Sequence, residues 1–301
     1  AECMSAIEAA GLREFDRSSD RLFTEAVSRS AAVLGFQFLF EPSPESTACR
    51  LDPIGLNWRR NGGGPFSADV MEAAGVVCNL EELARAAHST GFFNVSPDRD
   101  GLLRSVPLLM KYKGEFYPSL ALAVLMKVSA TNQLWLHHDS SGDALQLAKT
   151  KIPLASGGRL WVNYRGGGRT FAYVSAADLL SGQTPAEALA GKIVFIGTSA
   201  AGLKEFRSTP LDPVYPGVEV HATVVDNVLR SHFLRRPFYA VGLEVLLALI
   251  TGIAFTAVFN RSSALATLLA AGAGAAGLWA LCGLAFRATA ILLSPVLADA
   301  S

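Results

Sequence analysis

The sequence predicts an α/β protein: a mixed, mainly parallel sheet covered by helices, followed by a membrane helical hairpin. Three observations carry this reading. Of 301 residues, 50% are hydrophobic and only 17% charged, which strains a purely water-soluble reading. The apolarity is concentrated in two runs near the C-terminal end, at 240–259 and 264–286. Ahead of them, over residues 1–236, β-branched and aromatic runs alternate with helical spacing, the pattern of strands packed between helices. The 26 basic and 26 acidic residues cancel, so there is no electrostatic case for nucleic acid as a partner.

Taken in order, residues 20–27 have helical spacing behind Asp20 as an N-cap, and 33–40 follow as a strand. The Pro-, Gly- and polar-rich stretch 41–66 reads as a long loop, and 80–88 as a short helix. Strands at 92–95 and 102–112 flank the turn Pro97-Asp98-Arg99-Asp100-Gly101, a hairpin signal. Pro118 opens a helix over 119–129, with Leu120, Val124 and Val128 along one face. Strands are expected around Trp135, at 145–147 and at 160–164, then helical turns at 176–180 and 185–190. The run 192–196 reads as a buried strand, and 217–233 as a helix leading toward the membrane.

Residues 240–259 read AVGLEVLLALITGIAFTAVF, with Glu244 the one charge, and 264–286 read ALATLLAAGAGAAGLWALCGLAF, with none. Each can cross about 30 Å of hydrocarbon, which takes roughly 20 apolar residues. The linker Asn260-Arg261-Ser262-Ser263 is short enough to set the two helices side by side. Gly272, Gly274 and Gly277 offer a close-packing face, within the hairpin or between chains. The apolar character that resumes at 290–301 reads as the start of a third crossing. The organisation is therefore a domain at 1–236, crossings at 237–259 and 264–286, and a third begun at 290–301. Arg230, Arg235 and Arg236 outnumber Arg261, and counted alone they would put the large domain in the cytoplasm.

Residues 193–205, IVFIGTSAAGLKE, approach a phosphate-binding loop but miss it: Leu203 separates Gly202 from Lys204, and Glu205 stands where a magnesium-binding hydroxyl belongs. Gly197, Thr198 and Ser199 lie where a strand gives way to a loop, a common ligand position in open sheets. With Arg207, Asp212 and His221 they form the candidate ligand-binding set, suited to a small anion or polar metabolite. The simpler readings are a tight glycine turn and a structural histidine. An enzyme reading, a membrane-tethered hydrolase using His221 with Ser199 or Thr198, lacks a nucleophile elbow or a matched carboxylate pair. A transporter reading has only Glu244 to offer along a pathway. Gly166-Gly167-Gly168-Arg169 has the composition to wrap an anion with backbone amides or to turn flexibly. His137-His138 beside Asp139 point to opposite faces of a strand, and Asp98 and Asp100 lack the glutamate that closes a calcium loop. No metal or cofactor is called for. Cys49 and Cys78 can form a disulfide in an extracytoplasmic domain, or remain small buried thiols.

Three stretches resemble one family: FFNVSPDRDGLLRSVPLLMKYKGEFYPSLALAVL at 92–125, LWVNYRGGGRTFAYVSAADLLSG at 160–182, and GKIVFIGTSAAGLKEFRSTPLDPVYPGVEVHATVVDNVL at 191–229. In order and motif they are similar to the type-two CHASE domain, found ahead of bacterial cyclases and kinases. The resemblance implies a non-catalytic extracytoplasmic sensor, anchored in the inner membrane, that passes a small-molecule or environmental signal through its helices to a cytoplasmic enzyme. It implies membrane lipid as surroundings and a homodimer as the signalling form. Against the family's pattern, an N-terminal membrane helix, the opening strands and the output domain are expected and not found in these residues.

Overall fold

The computed structural model describes residues 12–44, 46, 49, 51–60, 70–139, 142–198, 206–236, 239–260 and 263–290. The described residues open with α1 (Leu12–Ser28), which starts eight residues before the expected cap so that Asp20 lies inside the helix, and continue with β1 (Leu34–Leu39), close to its expected place. β2 (Gly55–Arg60) lies inside the stretch expected to be loop; its Trp58 and Leu56 outweigh the turn residues around them because a neighbouring strand is available to pair. β3 (Glu72–Ala73), β4 (Gly75–Val77), α2 (Glu81–Ala86) and β5 (Thr90–Phe92) complete the first part. β1 is central to a three-stranded sheet, parallel to β5 and antiparallel to β4. The Asn94 side chain extends that ladder, its amide accepting from Phe38 N and donating to Phe38 O, both at 2.8 Å.

β6 (Ser105–Pro107), β7 (Leu109–Tyr112) and β8 (Glu115–Pro118) lead into α3 (Leu120–Val128). The expected hairpin across 97–101 does not form: the turn is present, but β5 pairs with β1 while β6 pairs with β12 (Arg159–Trp161). Ser119 caps α3 by accepting from Leu122 N. Ala121, Leu122, Leu125 and Met126 turn inward, and Val128 faces out. β9 (Gln133–Asp139), β10 (Gly142–Leu147) and β11 (Thr150–Leu154) form a sheet in the order β11-β10-β9-β2, antiparallel except for β2–β9. Period-two alternation sends Leu134, Leu136, Leu145, Leu147 and Ile152 to the core. β7 is parallel to β3 and antiparallel to β8, so the sheets are mixed, with helices packed against them.

Two apolar clusters result. Phe36, Phe38, Phe92, Met110 and Tyr117 gather around β1, where Phe36 and Phe38 meet edge to face at 5.0 Å. The larger cluster packs α3 and the four-stranded sheet against Val220, Val224 and Val228 of α5 (Gly217–Leu229). Between them in sequence lie α4 (Ala176–Leu180), β13 (Phe206–Arg207) and β14 (Tyr215–Pro216). Residues 192–196 are not the buried strand expected. Val194 is 49% and Ile196 96% exposed, and the run joins no ladder among the described residues. Its β-branched residues favour extended backbone, but a strand also needs a neighbour, which no local pattern supplies.

α6 (Ala240–Phe259) and α7 (Ala264–Thr289) pack side by side, and Ser263 caps the second by accepting from Ala266 N. Windows Ala240–Ala257 and Leu265–Phe286 have mean hydropathies of 2.0 and 1.8, so both are long and apolar enough to cross a membrane. The seam on α7 runs through Thr267, Ala271, Leu278, Cys282 and Ala285. A Cβ added at Gly272, Gly274 or Gly277 would meet nothing within 4 Å, so these glycines do not serve the packing within the hairpin. Residues 291–301, where a third crossing was expected to continue, lie outside the described residues.

Candidate functional site

The N-terminal turns of α5 organise the region that the sequence singled out. Glycine at 197 is required by close approach: a Cβ there would lie 2.8 Å from Val218 Cβ and Cγ2, so the loop after 196 rests directly on the helix. Below it, β13 and β14 pair through Arg207 and Tyr215, and the loop between them is knotted by Thr209. Thr209 N and Oγ1 both donate to Asp212 O, and Asp212 N donates back to Thr209 Oγ1.

The glycine-rich loop does wrap an anion with its amides, and the anion belongs to the chain. Glu219, in the first turn of α5 and only 2% exposed, accepts from Arg169 N at 2.7 Å, Thr170 N at 2.8 Å and Phe171 N at 3.3 Å. Tyr173 Oη donates to the same carboxylate at 2.7 Å. Burial and this bond to a carboxylate both push the Tyr173 phenol well above its usual range. Arg169 takes φ +66°, which lets successive N–H groups converge on one oxygen pair. Asp212 completes the arrangement, accepting from Gly168 N at 2.7 Å and Val214 N at 2.8 Å, and those two bonds hold its carboxyl below the ordinary range. A Cβ at Gly167 would press on Asp212 at 3.2 Å and one at Gly168 on Pro216 at 3.1 Å, so the loop leaves little room for side chains there.

The same helix grips the preceding strand. Asn227 accepts from Asn163 N at 2.8 Å and donates to Asn163 O at 3.0 Å, while Asp226 lies 3.4 Å from Arg165 and 2.8 Å from Arg230. Glu219, Asp226 and Asn227 thus fasten α5 along its length to residues 163–173. Sequence reading missed all three, because a glutamate in a first helical turn ordinarily signals dipole matching at a surface.

His221 stands two residues beyond Glu219, about 200° around the helix, and so faces the opposite side. It stacks on Phe195 at 6.4 Å between ring centroids. Burial lowers its pKa to about 4, partly offset by its hydrogen bond to the Phe93 backbone, with the Arg207 charge lowering it further. Arg207 is half-buried and donates to Phe206 O at 3.2 Å. The candidates therefore divide: Gly197, Arg207 and His221 share one flank of α5, while Asp212 is committed to the glycine loop on the other. Thr198 is exposed beside Gly197. Ser199, Leu203, Lys204 and Glu205 lie outside the described residues.

Elsewhere, Arg104 bridges Asp98 at 2.9 Å and Asp100 at 2.6 Å, which locks the 97–101 turn and takes the Asp100 carboxyl down to about 2. His138 pairs with Asp143 at 2.6 Å, while His137 lies on the other face of β9. Cys49 and Cys78 are joined as a disulfide, a bond suited to an oxidising compartment. Among the described residues, no three His, Cys, Asp or Glu side chains converge as a metal site would require.

No curated protein and no solved structure matches the chain. A family model, the CHASE2 domain, matches residues 8–259, a span that takes in both apolar clusters, the fastened helix α5 and the whole of α6. With a match over most of its length, and with a disulfide-bearing α/β domain leading into apolar helices, the chain belongs to the CHASE2 family of extracytoplasmic sensory domains.

Proposed function

We propose that the domain is the input half of a membrane signal-transduction receptor, sensing a small molecule or environmental signal outside the cytoplasm and biasing a cytoplasmic cyclase or kinase through its membrane helices. The observation that carries this reading is the course of α5. The helix is held to the 163–173 segment by Glu219, Asp226 and Asn227, it packs into the larger core, and Phe233 just beyond it is buried in that core. A short stretch then leads into α6 at Ala240. A ligand acts by favouring one conformation over another, and tenfold preference supplies about 1.4 kcal/mol. A helix rigidly joined to the domain can deliver such a bias to the membrane. The receptor works as a homodimer in the inner membrane, with several crossings, and the domain itself performs no catalysis.

The ligand site in this proposal is the flank of α5 formed by Gly197, Thr198, Arg207 and His221, with Asp212 positioning the adjoining loop. Arg207 provides the charge for a small anion or polar metabolite. The test is a thermal-shift panel of such compounds on the full chain in detergent, repeated on Arg207→Ala. A stabilising compound should lose about 1.5–3 kcal/mol of affinity, roughly 10- to 150-fold in Kd, in a variant that melts where the wild type does. Full affinity in a folded Arg207→Ala protein would remove this flank as the site. Ester turnover that disappears in His221→Ala would favour the hydrolase reading instead.

A further inference from the structure

Apart from Glu244 the first membrane helix is apolar on every side, so its apolar side chains give it no preferred rotation about its axis. Two of its residues are nevertheless buried. Ala240 is 0% and Glu244 5% exposed, one turn apart on one face. The Glu244 carboxylate lies 3.1 Å from the Arg236 guanidinium, its side chain 2% exposed. One residue earlier, Arg235 N donates to Ala290 O at 3.1 Å, where α7 ends in a left-handed cap. Two residues before that, Phe233 is part of the domain core. A single short stretch is therefore anchored in succession to the domain, to the end of α7 and to the second turn of α6.

An acid at the edge of the hydrocarbon is costly unless a partner neutralises it, and intramembrane acids are retained where they serve a purpose. A buried ion pair adds little net stability compared with apolar packing, but its geometry is demanding, so it suits the fixing of register. We infer that Arg236 and Glu244 form a positioning clamp that sets the rotation and depth of α6 relative to the sensory domain. The clamp rests on the transmission reading for its purpose, but its existence can be tested without any signal.

The experiment uses the full chain in lipid nanodiscs, with spin labels at exposed Ser129 in the domain and exposed Ile253 in α6. Each label is attached through cysteine in a background lacking Cys3 and Cys282. Wild type should give one narrow distance distribution. Glu244→Gln, which keeps the shape of the side chain, and Arg236→Gln should each broaden or shift it. Exchange of the Leu243 amide, which donates to Tyr239 O at 2.9 Å, should become about tenfold faster in both variants. The exchanged pair Arg236→Glu with Glu244→Arg should restore both readouts. Single variants that match the wild type, or an exchanged pair as disordered as the singles, would overturn the clamp. A receptor that failed to respond to every compound tried would bear on the sensory reading and leave these readouts interpretable.

Discussion

Between pH 6.5 and 4, folded and unfolded chains bind different numbers of protons at His221, because burial brings its pKa from 6.5 down to about 4. The unfolded state binds more protons in that window, so stability rises with pH there. The contribution is fully present above 6.5 and is lost as pH falls toward 4. A difference of this size corresponds to about 3 kcal/mol. Denaturant melts of wild type and His221→Phe across this window should show the wild type losing about that much more stability than the variant on acidification. Parallel curves would mean that the imidazole titrates as it does in water. A histidine that titrates near 4 is also a weak general base at neutral pH, which argues against the hydrolase reading. Glu219 shows a different use of a charged group. Its carboxylate satisfies three backbone amides and a phenol at once, and each hydrogen bond to a charged acceptor is worth about 1.5–3 kcal/mol at most.

At the level of elements, the fastening of α5 to the 163–173 segment makes the helix and the glycine loop one unit. Glu219→Gln replaces one acceptor oxygen by an amide donor that faces other donors, so it should cost about 3 kcal/mol and free the loop. Hydrogen exchange at Arg169, Thr170 and Phe171 should accelerate well before that of the α3 amides. Uniform acceleration would mean that the loop and the core open together. The largely exposed run at 192–196, with Phe195 turned in to pack against the larger core, marks the other extreme. No residue from 163 to 198 is fully buried, so this segment lies on the domain rather than in it. The glycines of α7 point away from the hairpin seam, which keeps contact between chains as the proposal for their use.

For the whole molecule, the arginine count and the family assignment disagree on orientation. Arg230 is drawn to Asp226 and Arg236 to Glu244, so two of the three arginines ahead of α6 are partly neutralised within the protein. The topology signal, however, counts Lys and Arg with little regard to acidic partners, so these pairs leave it standing and the disagreement has to be settled on other grounds. The Cys49–Cys78 disulfide favours an oxidising side for the domain. With Cys3 and Cys282 replaced by serine, a cysteine at Ser129 should react with a membrane-impermeant thiol reagent in intact spheroplasts. One at Ser263 should react only after permeabilisation. The reverse pattern would place the domain in the cytoplasm and end the sensory reading.

The sequence by itself determined the elements with a strong local cause. The two apolar helices follow from charge exclusion over a membrane's width, α3 from Pro118 and the apolar run behind it, although the buried face is that of Ala121, Leu122, Leu125 and Met126 rather than that of Leu120, Val124 and Val128, and the family from ordered motifs such as Pro216-Gly217-Val218-Glu219-Val220-His221. Tertiary structure decided which strands pair, and so made β2 a strand within an apparent loop, left 192–196 without a strand partner among the described residues and dissolved the hairpin across 97–101. It also decided that the glycine loop binds an internal carboxylate, that Cys49 meets Cys78, and that Glu244 meets Arg236. Helix formation and membrane insertion are set by the residues within one segment. Strand pairing, ion pairing and anion capture depend on which distant segments the fold brings within about 3 Å, and no local pattern carries that information.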